Sequence, residues 1–222
     1  MWFLQPGITI EDVLIRILAV LAIIFVVLPF HEYLQAFVAY KLGDSTAKSL
    51  GLMTINPIEH FSPFGAVWIM LFDFGWAKPV PINPLNFKFP RKGMALVGIA
   101  GLVSYIFAAI ISAFSANLLL LLGLNYDIMR MVNSFSAHFV SINVGLAVVN
   151  LIPLAPFDGN KILGGFIPER FVSKYYQYQR IIAIVLFFML LFGFFDIPLE
   201  FLRVVITGSI FKITSLPFLF IR

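Results

Sequence analysis

His31 and Glu32 stand side by side in "FVVLPFHEYLQAFVAYKLGD", and Asp158 stands far downstream in "NLIPLAPFDGNKIL". On a helix, residues i and i+4 share a face. An H-E-x-x-H helix uses this to grip zinc with two imidazoles, while the adjacent glutamate handles the proton of the metal-bound water. Zinc lowers the pKa of that water to about 7, so hydroxide forms at neutral pH. His31 fits the first ligand, Glu32 the general base, and Asp158 the carboxylate that completes such a set. Gln35 stands where the second histidine belongs, and a neutral amide oxygen is a much poorer zinc ligand than imidazole. The residues therefore spell metal-assisted hydrolysis with one ligand exchanged. The bland alternative is that His31 and Glu32 pair with each other or with backbone. Against it, a charged side chain inside a membrane helix costs at least about 2.5–3.5 kcal/mol, which makes such residues functional by default.

The elements that would position these residues belong to a membrane. Of the 222 residues 61% are hydrophobic and 12% charged, against about 45–50% and about 25% in soluble domains. The chain is too short for a membrane bundle plus further domains, so residues 1–222 read as one membrane-embedded domain. Cysteine is absent, which excludes disulfides, thiolate metal sites and cysteine nucleophiles. The net charge of +4 is scattered between apolar runs and suits basic membrane loops rather than nucleic acid. "MWFLQPGITIED" carries no basic n-region, so the first apolar run is expected to be a retained helix rather than a signal peptide.

A membrane helix needs about 20 apolar residues. Spans are expected at about Ile8 to Leu42, Met94 to Leu122, Ile128 to Leu154 and Arg180 to Phe195. Pro153 and Pro156 break the third, and the tail 197–222 is either a fifth span or an interfacial helix. Residues 44–92 are dense in Pro, Gly and aromatics, and their short β-prone runs predict strands or a loop dipping part-way into the membrane. The expected fold is thus an all-α polytopic membrane protein of four to five transmembrane helices, with a membrane-dipping β-hairpin-like segment after the first. Lys41, Lys48, Lys78, Lys88, Arg91 and Lys92 follow the first span, and Lys161, Arg170, Lys174 and Arg180 follow the third. The positive-inside rule then puts both segments in the cytoplasm, the N-terminus outside, and His31, Glu32 and Asp158 toward one cytoplasmic side.

"HEYLQAFVAYKLGD", "TAKSLGLMTINPIEH", "FGWAKPVPINPLNFKFPRKGMALVGIAG" and "NLIPLAPFDGNKIL" occur in that order from about residue 28 to about residue 165. On these stretches the chain resembles the site-2 protease family of intramembrane zinc metalloproteases, most of all its small prokaryotic members without a PDZ domain, with a degenerate zinc motif. The resemblance implies zinc held by the histidines of the first motif and the aspartate of "DG", in a prokaryotic plasma membrane. The implied substrate is the transmembrane segment of another membrane protein. His31 and Asp158 carry over as ligands and Glu32 as general base. Tyr105, in "GLVSY", stands where the family has a polar asparagine near the scissile carbonyl, and Ser62 where relatives carry aspartate.

The expected function is intramembrane zinc proteolysis weakened by Gln35 and Tyr105, with Zn2+ held weakly or lost. The alternative is an inactive pseudoprotease that binds transmembrane helices; a transporter is a distant third. His60 in "NPIEH" is the candidate substitute ligand, although the family carries a histidine here beside its normal pair. Asn143 and Asn150, two turns apart on the third span, are placed either to hydrogen-bond an extended substrate or to bridge another helix. His138 lies about five turns before Asp158 and reads as helix packing. Tyr175, Tyr176, Tyr178 and Arg180 read as an interfacial anchor, and the many aromatics as lipid-facing surface.

Overall fold

The first apolar run folds into one helical rod with a widened turn in its middle. In the computed structural model, which describes residues 8–218 except 154 and 156, α1 (Ile10–Ala22) passes through a π-helical turn (Ile23–Val27) into α2 (Leu28–Lys41). Thr9 caps α1 by accepting from Asp12 N, and Asp12 returns the bond to the Thr9 backbone, a capping box. Pro29 accounts for the wide turn. It has no N–H, and in a regular helix its ring would collide with the carbonyl four residues back. The loosened turn relieves that collision two residues before His31. Residues 1–7, which hold most of the stretch read against a signal peptide, lie outside the described residues, as do Pro156 and residues 219–222.

Four helices among the described residues are long and apolar enough to cross a membrane: Ile10–Lys41, Pro90–Leu122, Tyr126–Asn150 and Asp196–Phe218. The protein is an all-α polytopic membrane protein. α6 (Pro90–Leu119) and α7 (Tyr126–Asn150) pack on the first rod, and α8 (Asp158–Phe166) lies against α6. α9 (Glu169–Leu191) follows, and α10 (Asp196–Ser215) closes against α6 and α7. The tail is thus a helix of spanning length; Gly208 costs it only about 1 kcal/mol, and Pro217 falls beyond its end. α9, which contains most of the span expected at Arg180 to Phe195, is not among the four. The third span stops at Asn150 rather than near Leu154. The core joins Val20, Ile23 and Val27 of the first rod to Tyr105 of α6 and Ile142 and Leu146 of α7.

The expected β-hairpin is absent: there is no strand among the described residues. Residues 44–92 instead form α3 (Thr46–Ser49), α4 (Pro57–His60) and α5 (Pro63–Phe72), then an extended strap and a short 3-10 turn at Pro84–Asn86. The reason lies in the donors. Ser62 caps α5 by accepting from Gly65 N, and Pro63 sits in the first turn, where its missing N–H costs nothing. In the strap, Pro79, Pro81 and Pro84 remove the N–H groups that a ladder requires. Gly65 and Gly75 let the strap cross α5 backbone to backbone: a Cβ on Gly65 would strike the Trp76 carbonyl, and one on Gly75 the Gly65 carbonyl.

Asp44, 2% exposed, ties the far end of the strap to the end of α2. Its carboxylate accepts from Thr46 N at 3.1 Å, Asn83 N at 2.7 Å and Asn86 Nδ2 at 2.7 Å, and from the Thr46 hydroxyl at 2.5 Å. Burial pushes this carboxyl's pKa up, but the hydrogen bonds from Thr46, Asn86 and Asn83 outweigh it and hold it below the usual carboxylate range. The folded pKa is lowered, so its contribution is complete above the unfolded value of about 3.9 and lost as pH falls through the lowered one. Asp44→Ala is expected to loosen the strap by about 1–3 kcal/mol, the cost of stranding its buried donors. Tryptic cleavage at Lys88 should then accelerate at neutral pH, an effect that unchanged cleavage would exclude.

Candidate functional site

His31 and Glu32, each 5% exposed, and Gln35, 1% exposed, lie on the face of α2 turned toward α6 and α8. Asp158, 3% exposed, opens α8 where its charge meets the helix N-terminus. Asn150 Oδ1 accepts from the Asp158 backbone N–H at 3.4 Å, so the end of α7 fixes the start of α8. These elements converge on Gly101 of α6, where a Cβ would run into Asp158 Oδ2, Gln35 Nε2 and the His31 ring. Glycine there is what lets the three side chains meet.

Hydrogen bonds set the orientation of each group. The Gly101 carbonyl lies 3.1 Å from His31 Nδ1 and accepts its N–H. Ser104 Oγ stands 3.2 Å from the same Nδ1. Gln35 Nε2 lies 3.1 Å from His31 Nε2 and donates to Asp158 Oδ1 at 2.8 Å. Gln35 Oε1 accepts from Lys161 Nζ at 2.7 Å, and the same ammonium lies 2.8 Å from Asp158 Oδ1. The bonds to the Asp158 carboxylate and the Lys161 ammonium require the Gln35 amide nitrogen to face His31 and Asp158. Glu32 Oε2 accepts from Val80 N at 2.8 Å, the N–H that the strap keeps between Pro79 and Pro81, and Glu32 Oε1 stands 3.9 Å from His31 Nε2.

The donor set can be tested against zinc. His31 Nε2 and Asp158 Oδ2 are 3.4 Å apart, and Oδ2 is buried without a hydrogen bond among the described residues. Two donors could thus touch one atom. A catalytic zinc takes three protein ligands, and the third corner holds the NH2 of Gln35, which has no lone pair to give. Among the described residues no three His, Cys, Asp or Glu side chains are grouped to hold a metal ion. The residues present do not fit zinc.

The remaining candidates sit as follows. His60 Nε2 bonds the Thr54 carbonyl at 2.9 Å and the His60 backbone carbonyl accepts from Lys78 N at 2.8 Å, while Nδ1 is buried without a hydrogen bond among the described residues. The Tyr105 ring stacks on His31, centroids 4.5 Å apart. Asn143 Nδ2 donates back to the Phe139 carbonyl and Asn150 Nδ2 to the Leu146 carbonyl, both at 2.8 Å. His138 Nδ1 lies 3.5 Å from Arg16 Nη1, and Arg16 pairs with Asp73 at the end of α5. The Tyr175 hydroxyl bonds Asn160; the Tyr176 side chain lies outside the described residues. Lys161 and Asp44 escaped the sequence reading. Lys161 is three residues from Asp158, a spacing that shares a helix face, but only a helix beginning at Asp158 gives that spacing meaning.

Over 167 residues the chain is 41% identical to a protein of Bacillus subtilis (strain 168) named "Putative zinc metalloprotease YwhC", which covers 71% of this chain and 74% of that one. The chain belongs to this zinc metalloprotease family. No family model matches the sequence, and no solved structure matches it. Membership in the zinc metalloprotease family explains why a histidine, a glutamate and an aspartate are gathered in a membrane core. It makes the Gln35 amide at their centre the feature that needs explaining.

Proposed function

We propose that this protein is a non-catalytic member of its family, of the small site-2 protease type without a PDZ domain, that binds transmembrane helices of other membrane proteins. The observation that carries the reading is the Gln35 amide, which points N–H groups at both His31 Nε2 and Asp158 Oδ1. A side chain held this way offers the centre protons rather than a lone pair. In this reading His31 and Asp158 descend from metal ligands and Glu32 from the general base, and His60 replaces none of them. Residues 1–222 act as one domain of a prokaryotic plasma membrane, with the N-terminus outside and the polar centre toward the cytoplasm.

An apolar groove supports the binding half of the reading. It has a volume of about 700 Å³ and runs between α1, α6 and α7, with Val26, Phe30, Phe107, Ile111 and Phe135 in its walls. Ser112 and Ser115 keep the α6 wall shallow, as close helix approach within a bilayer requires. Tyr105, Asn143 and Asn150 do not line this groove; they are buried among the helices behind it.

The test uses the full chain in lipid nanodiscs with a photo-crosslinking residue at Ile111 and a synthetic polyleucine transmembrane peptide. The expected result is a crosslinked, intact peptide and less than about a tenth of an equivalent of zinc after dialysis. Cleavage of the peptide by the unaltered protein supplied with zinc would return the protein to the enzymes. Absence of any crosslink would remove the binding function.

A further inference from the structure

Two acids, Glu32 and Asp158, are buried on either side of His31, and burying uncompensated carboxylates is costly. In a zinc enzyme the metal supplies the balancing charge. Here a side chain of the same helix brings a positive charge to the other oxygen of the Asp158 carboxylate. Lys161 lies one turn along α8 from Asp158, its side chain 22% exposed, and its ammonium bends back to Asp158 Oδ1 at 2.8 Å and Gln35 Oε1 at 2.7 Å. We propose that Lys161 is the resident cation of this centre, holding with Gln35 the charge and the ligand contacts that a metal would otherwise take. The inference rests on the non-catalytic reading and extends it from a missing ligand to a rebuilt centre.

The two residues are matched. Gln35 needs a donor for its carbonyl, and Lys161 supplies it. Lys161 needs acceptors, and Gln35 Oε1 and Asp158 Oδ1 supply two. Gln35 then passes the polarisation on through its amide to Asp158 and His31, so one connected set of bonds ties α2 to α8. Packing holds the cation in register: at Gly98 of α6 a Cβ would press on the Lys161 Cβ, the Ile162 side chain and the Asp158 carbonyl. Histidine at position 35 would face the same ammonium and lose the carbonyl that anchors it. Gln35→His alone therefore recreates a ligand set whose aspartate still shares its charge with Lys161 through Oδ1.

The experiment compares wild type, Lys161→Met, Gln35→His and the double variant, each as full-length protein in detergent. Zinc is titrated directly and retained metal is measured by elemental analysis. Thermal unfolding is recorded with zinc and with chelator. Wild type is expected to retain no stoichiometric zinc, and Lys161→Met to lose several degrees of Tm in chelator. The double variant should bind zinc at least about tenfold more tightly than Gln35→His, because no ammonium has to be displaced from Asp158. Zinc should restore the Tm of the double variant. Where methionine at 161 prevents folding, Lys161→Gln, which keeps a donor and removes the charge, carries the same expectations. Equal zinc affinity with and without Lys161, or an unchanged Tm on its removal, would overturn the resident cation and leave the helix-binding reading standing. One equivalent of zinc on the unaltered protein would overturn both.

Discussion

Asp158→Ala should lower the stability of the folded protein by about 3–5 kcal/mol, and by the same amount in chelator as in zinc. The carboxylate is 3% exposed and its Oδ1 takes hydrogen bonds from both Gln35 and Lys161. Removing it strands a buried amide N–H and leaves the Lys161 ammonium with Gln35 Oε1 alone, and breaking a buried pair from one side carries a penalty of that size. Asp158→Asn should cost less. It keeps an oxygen for Gln35 and loses only the charge, and Lys161 is exposed enough to swing its ammonium toward water. Reversible unfolding in mixed micelles, followed by tryptophan fluorescence with and without chelator, measures both. A penalty present only in zinc would mean that the carboxylate is a metal ligand and that the hydrogen-bonded centre is wrong.

The parts of this structure legible in the sequence are those set by composition and short spacing. The apolar runs announce the first rod, α6 and α7, and His31 and Glu32 stand out because a bilayer penalises them. The convergence on one centre was readable because two separate apolar runs each carry an ionisable residue near a basic flank. The hairpin expectation failed on a conflict between two signals. "AVWIMLF" is β-prone and short, yet "SP" before it is a helix start, and prolines on alternate residues after it forbid a partner strand. Local chemistry outweighed residue preference there. What could not be read was pairing across distance. Arg16 and Asp73 are 57 residues apart, and nothing in either neighbourhood names the other. Lys161 was read as one more positive charge in a basic segment, because its meaning depends on where α8 begins. Gln35 was legible as a missing ligand but not as a donor, since its amide orientation is fixed by partners on α8.

Arg16 and Asp73 carry the other large expected effect. Arg16 lies in α1, roughly 9 Å from the helix start, inside a candidate span. Asp73 ends α5 in the left-handed region, φ +59°, which aspartate tolerates better than most residues. Their ion pair fastens the tip of the 44–92 segment to the first rod, with His138 of α7 beside Arg16. Because the same segment lays Val80 against Glu32, this contact also holds the strap on the polar centre. The two single substitutions should be unequal. The Arg16 side chain is 11% exposed against 29% for Asp73, and a guanidinium cannot shed its proton, whereas a carboxylate can take one up. Asp73→Asn, which keeps the left-handed turn, removes the carboxylate charge that pairs with the deeper guanidinium and should cost about 3–5 kcal/mol. Arg16→Met leaves the shallower group and should cost about half as much. The double variant should recover most of the loss, since no charge is then stranded, giving a coupling of at least about 1 kcal/mol in the cycle. Unfolding midpoints of the four proteins in one detergent decide it. Additive losses would show that the pair is an accident of two long side chains and that the strap is held by packing and Asp44 alone.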